Sequence, residues 1–162
     1  MSNGPYTEIS DPDQARFVDL LVELCEQIDI IDVNSVLQRR QLVYQGFDVI
    51  IDHVLNDPQA LYMQFDYGMT TAGRTLTIFR LMLESNLLVY AQDQAQLGLD
   101  PDSGNSHLIV RLPMTDDIDG AWLADTLRHY AEHGRYWREH LLQAPDELYE
   151  AISSGNYLWL RG

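Results

Sequence analysis

The stretch "QLGLDPDSGNSHLIVRLPM", Gln96 to Met114, sets two short alternating runs on either side of a cluster of Asp, Pro, Ser, Gly and Asn. Leu97 and Leu99 alternate with Gln96, Gly98 and Asp100, and Leu108, Val110 and Leu112 alternate with Ile109 and Arg111. A period of two is that of a half-buried strand, so the stretch predicts a hairpin. Asp100 and Asp102 also begin like a calcium loop. An EF-hand needs glycine at the sixth position and a bidentate glutamate at the twelfth, whereas here Gly104 is fifth and Arg111 twelfth. A cation would lose its best ligand and meet a guanidinium. The spacing fits a β-turn better, with φ fixed at Pro101 and the positive-φ position taken by Gly104.

Upstream, residues 71 to 90, "TAGRTLTIFRLMLESNLLVY", predict a helix with Leu76, Phe79, Leu83, Leu87 and Tyr90 on one face. A second stripe of Ile78, Leu81, Met82, Leu88 and Val89 leaves little of the circumference polar. One sheet contact needs only one apolar stripe, so something further must cover the other. Earlier still, "FDVIIDHV" and "ALYMQFDYG" flank "NDPQ" and are rich in strand formers, with Phe47, Val49 and Ile51 alternating with Asp48, Ile50 and Asp52. They predict two antiparallel strands joined by a turn. Before them, "DPDQARFVDLLVELCEQI" carries Phe17, Leu20, Leu21, Leu24 and Ile28 at helical spacing, a first helix over residues 13 to 28. Residues 29 to 45 show no clean period and read as a connector holding at most a short helical turn.

Downstream, "TDDIDGAWLADTLRHYAEHGRYWREHLL" is acidic at its start and carries Arg135, Arg138 and His140 at its end, the polarity that suits a helix dipole. Leu123, Leu127, Tyr130, Trp137 and Leu141 fit one face of this third main helix. The remainder, residues 143 to 162, reads as a C-terminal extension with a short helix after Pro145 and an apolar "NYLWL" tip, and residues 1 to 12 as a flexible start. Between them, residues 13 to 142 make a single domain. The predicted order is helix, two strands, helix, two strands, helix, an α+β fold with a small antiparallel sheet.

Composition narrows the functional classes. The chain has 162 residues, of which 46% are hydrophobic, enough for one packed core. Its 10 basic and 25 acidic residues give a net charge of -15, and every basic residue is arginine. Such a surface repels phosphate backbones and anionic membranes, which argues against nucleic-acid binding. The single cysteine, Cys25, falls among Leu21, Leu24 and Ile28 and reads as a core thiol. The opening residues lack the basic region and apolar run of a signal peptide, and no stretch has the apolar length of a membrane span, so the expected compartment is a reducing cytoplasm.

No catalytic chemistry emerges. His129 and His133 share a helix face, but "HYAEH" is not H-E-x-x-H, Glu132 sits on another face, and no third ligand is evident. The pair reads as a solvated helix face. His53 and His107 fall on the predicted strands. There is no G-x-S-x-G, no phosphate-binding glycine loop, and no serine or cysteine with a recognisable histidine partner. A metal-dependent enzyme built on the histidine pair is therefore the weakest reading, and the expectation is a non-enzyme with no catalytic, cofactor or metal site.

The succession "LMLESNLLVYAQDQAQLGLDPDSGNSHLIVRLPM", then an acidic linker and a helix containing "YWREHL", resembles the class I chaperones of bacterial type III secretion, the CesT or SycE-like family. The features are a helix ending around Leu83, Asn86 and Leu87, the strand Leu97 to Asp100, a second strand ending at Leu112 and Pro113, and Trp137 near the end of the last helix. The likeness follows element order from Ala15 to Leu142 and is motif-specific over Leu81 to Leu142.

The resemblance implies a homodimer in the bacterial cytoplasm that binds the N-terminal segment of one or more secreted effectors in extended form, without ATP or metal. It implies a dimer contact through the second main helix and a neighbouring strand, carried onto Leu76, Phe79, Leu83, Leu87 and Leu97. Candidates for effector binding are Phe17, Leu21, Val49, Ile50, Leu61 and Met63. The connector over 29 to 45 is longer than the family's usual link, and the tail past residue 142 exceeds its usual end. Either extension is a candidate to cover a groove, add to the dimer or contact a secretion component. A regulatory or scaffold module of the same fold, without a secretion role, is the alternative.

Overall fold

The computed structural model describes residues 11–143. The expectations for the flexible start and for the helix and apolar tip after Pro145 fall on residues outside that range. Helix α1, Pro12–Gln27, begins where the Asp11 carboxylate accepts from the Asp13 amide and proline occupies the first turn. Its apolar stripe, Phe17, Leu20, Leu21, Leu24 and Cys25, is buried, and burial raises the Cys25 thiol pKa.

The connector is more ordered than its aperiodic sequence predicts. It holds helix α2, Val33–Arg39, and strand β1, Gln41–Tyr44. The Asp32 carboxylate caps the Ser35 amide, and the helix stops where Arg40 turns left-handed at φ 57°. Strand β1 turns into β2, Phe47–Asp52, through Gln45 and Gly46, both at positive φ, the geometry of a two-residue hairpin turn. Non-glycine residues in the left-handed region leave no clear sequence signal, which is why both elements escape a reading by pattern.

Strand β3, Ala60–Met69, pairs antiparallel with β2, joined by the turn through Asp57 and Pro58. Helix α3, Thr75–Asp93, starts later than the sequence predicts, because Gly73 at φ 89° and the turn before it interrupt the helical backbone, and it ends at a left-handed Gln94. The opening hairpin is β4, Ala95–Leu99, and β5, Asn105–Pro113, paired antiparallel. In its turn the Gly104 amide donates to the Asp100 carbonyl at 2.8 Å with φ at 75°. The Asp100 carboxylate accepts from the Asp102 amide and the Ser103 hydroxyl, which lowers its pKa. Its oxygens serve the turn.

Helix α4, Gly120–Trp137, is capped by Asp119 accepting from the Trp122 amide and runs on as a π-helical turn, Arg138–Leu142. The five strands form one antiparallel sheet in the order β1-β2-β3-β5-β4. Across it Val49, Phe65, Leu108 and Leu97 stand in register and are buried with the helices, and the next row, Ile50, Gln64, Ile109 and Gln96, points the other way. All four sequence-predicted strands are present, and β1 is the addition.

Strand β3 bulges at Tyr67, which drops into the core. Arg138 locks the bulge by donating to the carbonyls of Tyr67 at 2.8 Å and Asp66 at 3.0 Å, with its guanidinium over the Phe47 ring. No helix among the described residues is long and apolar enough to cross a membrane.

Candidate partner-binding surfaces

Helix α3 divides its apolar residues between two sides. Ile78, Leu81 and Met82 are buried toward the sheet, while Leu76, Leu83 and Leu87 are 86%, 70% and 79% exposed. Leu88, which the sequence pattern groups with the core stripe, is instead partly exposed. Asn86 fastens the helix to the sheet edge. Its side-chain oxygen accepts from the Leu97 amide at 2.7 Å, and its amide donates to the Leu97 carbonyl at 3.0 Å. Those two bonds occupy backbone groups that a neighbouring strand would otherwise take.

Of the residues expected at a dimer contact, Leu76, Leu83 and Leu87 face outward, Phe79 is half-buried beside them, and Leu97 is buried. Phe79, Leu83, Leu97 and Leu99 border a groove of about 240 Å³ along the seam of α3 and β4. Three of the five, Phe79, Leu83 and Leu97, line that groove, and Leu76 and Leu87 are exposed elsewhere on the same helix. Leu99 and Tyr90 are also exposed.

The residues expected to bind an effector part company. Phe17, Leu21, Val49, Leu61 and Met63 are 0–2% exposed inside the chain's own core, and only Ile50, at 39%, presents surface. Strand alternation explains the split: Val49, Leu61 and Met63 point to the helix-covered face and Ile50 to the open one. That open face also carries Ile109 and, on β1, Val43, both exposed, around the hydrogen-bonded pair Gln64 and His107. Ile109 was available in the alternation of β5, whereas Val43 belongs to a strand the pattern does not reveal. Among the described residues β1 ends the sheet with no further strand beside it, so its outer edge is available for pairing.

A third feature runs along the end of β5. A cleft of about 490 Å³ is lined by Asp93, Leu112, Trp122 and Tyr130 among others, and a second of about 430 Å³ by Asp13, Met114 and Asp116. Both are bordered by Arg111 and Pro113, so the two clefts adjoin as two parts of a trough. The Arg111 guanidinium forks onto the Asp57 carboxylate at 2.5 and 2.8 Å and reaches Gln94 at 3.0 Å. Asp57 also accepts from the Tyr62 hydroxyl at 2.6 Å, and these bonds hold its carboxyl down at about 2.

The histidine pair on α4 does not share a solvated face. His129 is exposed, but His133 lies between Tyr67 and Trp137, stacked on the indole at 6.5 Å between centroids. The Tyr67 hydroxyl donates to the Tyr130 carbonyl at 2.9 Å, so its remaining partner at 3.2 Å, His133 Nδ1, donates to it. Burial pushes the His133 pKa down to about 4, helped by neighbouring His129. The helical spacing of 129 and 133 is read correctly, but the wrap of α4 around the bulged Tyr67 covers one of the two. His53 lies one residue past β2 and is held by Gln14 and the Pro58 carbonyl, stacked on Phe17. Among the described residues no group of three or more His, Cys, Asp or Glu is placed to hold a metal ion.

The sequence model of the Tir chaperone protein (CesT) family matches residues 18–138. Three solved structures share the fold. The chain is similar to one in the ExsC-ExsE complex, with 18% identity and a TM-score of 0.63, covering 81% of this chain and 97% of that one. A second, in the HopA1-SchA chaperone-effector complex, has 16% identity and a TM-score of 0.60 over 79% of this chain and 97% of that one. The third, in the ExoT-SpcS complex from Pseudomonas aeruginosa, has 19% identity and a TM-score of 0.53 over 74% and 95%. No curated protein matches this chain.

Proposed function

Because the chain belongs to the Tir chaperone protein (CesT) family, we propose that it is a type III secretion chaperone, a homodimer in the bacterial cytoplasm that holds the N-terminal segment of a secreted effector in extended form. It acts by binding and keeps its client competent for export. The family membership supports the class, and the HopA1-SchA likeness, by its own description a chaperone-effector complex, agrees with it.

The observation that carries the assembly is the outward stripe of α3. Leu76, Leu83 and Leu87 leave three aliphatic side chains in water on one helix face, each worth about 1.5–3 kcal/mol when buried. A second copy presents the same stripe, and a two-fold axis sets the two against each other. The groove between Phe79 and Leu99 receives side chains from the partner helix.

The client uses the rest. An extended segment pairs its backbone with the free edge of β1 and lays alternate side chains over Val43, Ile50 and Ile109 on the open sheet face. Ordering a flexible client costs several kcal/mol, so contacts must be spread along a long path, which an open sheet on each protomer provides. Core residues such as Val49 and Met63 contribute by setting the sheet's shape.

Co-expression with a secreted protein of the same host, followed by limited proteolysis, tests the proposal. The expected result is a dimer that protects the client's N-terminal segment, with protection lost in an Ile50→Asp, Ile109→Asp variant. A strictly monomeric chain that protects no segment overturns it.

A further inference from the structure

We propose that the trough along the end of β5 takes a basic stretch of the client, with an arginine or lysine side chain laid on Trp122. This deepens the chaperone proposal, since it presumes an extended polypeptide partner and names the chemistry that partner must carry.

Trp122 stands in the first turn of α4 and is 41% exposed at the mouth of the larger cleft, opposite Leu112 and Pro113. An indole face open to water beside carboxylates attracts a cation by its quadrupole as well as by charge. Asp93 and Asp125 line this end and Asp13 and Asp116 the other. The cations nearby are already committed. Arg111 is forked onto Asp57, Arg128 is paired with Asp125 at 2.7 Å, and Arg16 donates to the carbonyls of Thr115 and Ile118. The ion pairs among the described residues leave Asp13, Asp93 and Asp116 out.

An anionic ligand would therefore meet carboxylates and find no free guanidinium. A cationic one finds Trp122 and Leu112 in the larger cleft with carboxylates in both, and the chain's net charge of -15 draws it in. The two clefts adjoin at Arg111 and Pro113, an arrangement that suits an extended chain in place of a single small molecule.

The probe is a nine-residue capped peptide with two arginines among glycines and leucines, compared with a twin in which citrulline replaces arginine. Citrulline keeps the shape and removes the charge. In nuclear magnetic resonance titrations of the full chain at low salt, the arginine peptide is expected to move the Trp122 indole and Thr126 amide signals. It should bind about tenfold tighter than its twin, with the gap narrowing as salt screens the acids. Trp122→Ser should bring the arginine peptide to the level of its twin, and Asp93→Asn with Asp116→Asn should do the same, with circular dichroism and oligomeric state unchanged.

Equal binding of the two peptides overturns the proposal, as do shifts confined to the open sheet face or to α3. The two failures are separable. A chain that protects a client's N-terminus but ignores the arginine probe sinks this inference alone, and one that binds the probe at Trp122 but protects no client sinks only the chaperone role.

Discussion

Helices α3 and α4 are nearly equal in length, 19 and 18 residues, yet they spend their apolar residues differently. In α4 Leu123, Leu127, Tyr130 and Trp137 all go inward. Chain closure around Tyr67 is so tight that a methyl group at Gly134 would stand 2.2 Å from the tyrosine ring. In α3 an inward stripe of Ile78, Leu81 and Met82 is matched by an outward one of Leu76, Leu83 and Leu87. The buried stripe of α4 is satisfied by its own chain, whereas the outward stripe of α3 is left exposed by its own chain and is the contact proposed for a second one. Substitutions on the buried face of α4 should therefore cost folding, and those on the outer side of α3 should cost association.

The sharpest test is at the end of α4. Trp137→Ala removes the largest fully buried side chain and is expected to cost about 4 kcal/mol in urea unfolding, with the helical signal lost at lower denaturant. On α3 the double change Leu83→Glu, Leu87→Glu should weaken the proposed dimer by about 3 kcal/mol or more, over a hundredfold. Sedimentation should then read a species of 18.6 kDa whose circular dichroism is unchanged. Unfolding in that variant would erase the contrast between the helices.

A pH experiment probes α4 from another side. His133 has a folded pKa of about 4 against an ordinary 6.5, so between those values the unfolded chain binds a proton that the folded chain refuses. Stability is fully present above about 6.5 and falls as pH drops toward 4, by about 3 kcal/mol in all. Urea midpoints measured across this window should slope less in His133→Gln. An unchanged slope would mean that another group carries the acid sensitivity.

The smallest expected effect lies at the join of α3 with the sheet. Asn86→Ala deletes both bonds to Leu97 and should cost about 1–2 kcal/mol, seen as faster amide exchange at Leu97. It leaves the outer leucines in place, so a dimer formed by them should weaken far less than in the double glutamate variant. Equal loss would show that the seam between α3 and β4, more than the outer stripe, sets the association.

Much of this was legible in advance. The alternation around Gly104 gave the hairpin, the three long amphipathic runs gave α1, α3 and α4, and the excess of apolar residues on α3 signalled an unfilled contact. Helix α2 and strand β1 were not legible, because seven and four residues are too few for a period to show, and their ends rest on Arg40 and Gln45 in left-handed geometry. Among the candidate client residues, pattern identified apolar positions but could not say which face of the sheet the helices would cover. Trp122 escaped notice for a similar reason: it lies off the apolar stripe of α4, and only the approach of β5 turns it into the wall of a cleft.

Local pattern by itself determined the elements, since turn chemistry and the periods of helix and strand act over a few residues and are written in neighbouring side chains. It also determined the charge, and with it the expectation that anionic partners are repelled. Tertiary structure alone decided which apolar residues are spent inside. Phe17 and Leu83 are equally hydrophobic by position in their helices, yet one is sealed in the core and the other stands in water. That choice depends on how helices roll against one face of a twisted sheet, a property of contacts between residues far apart in the chain, which no local spacing encodes.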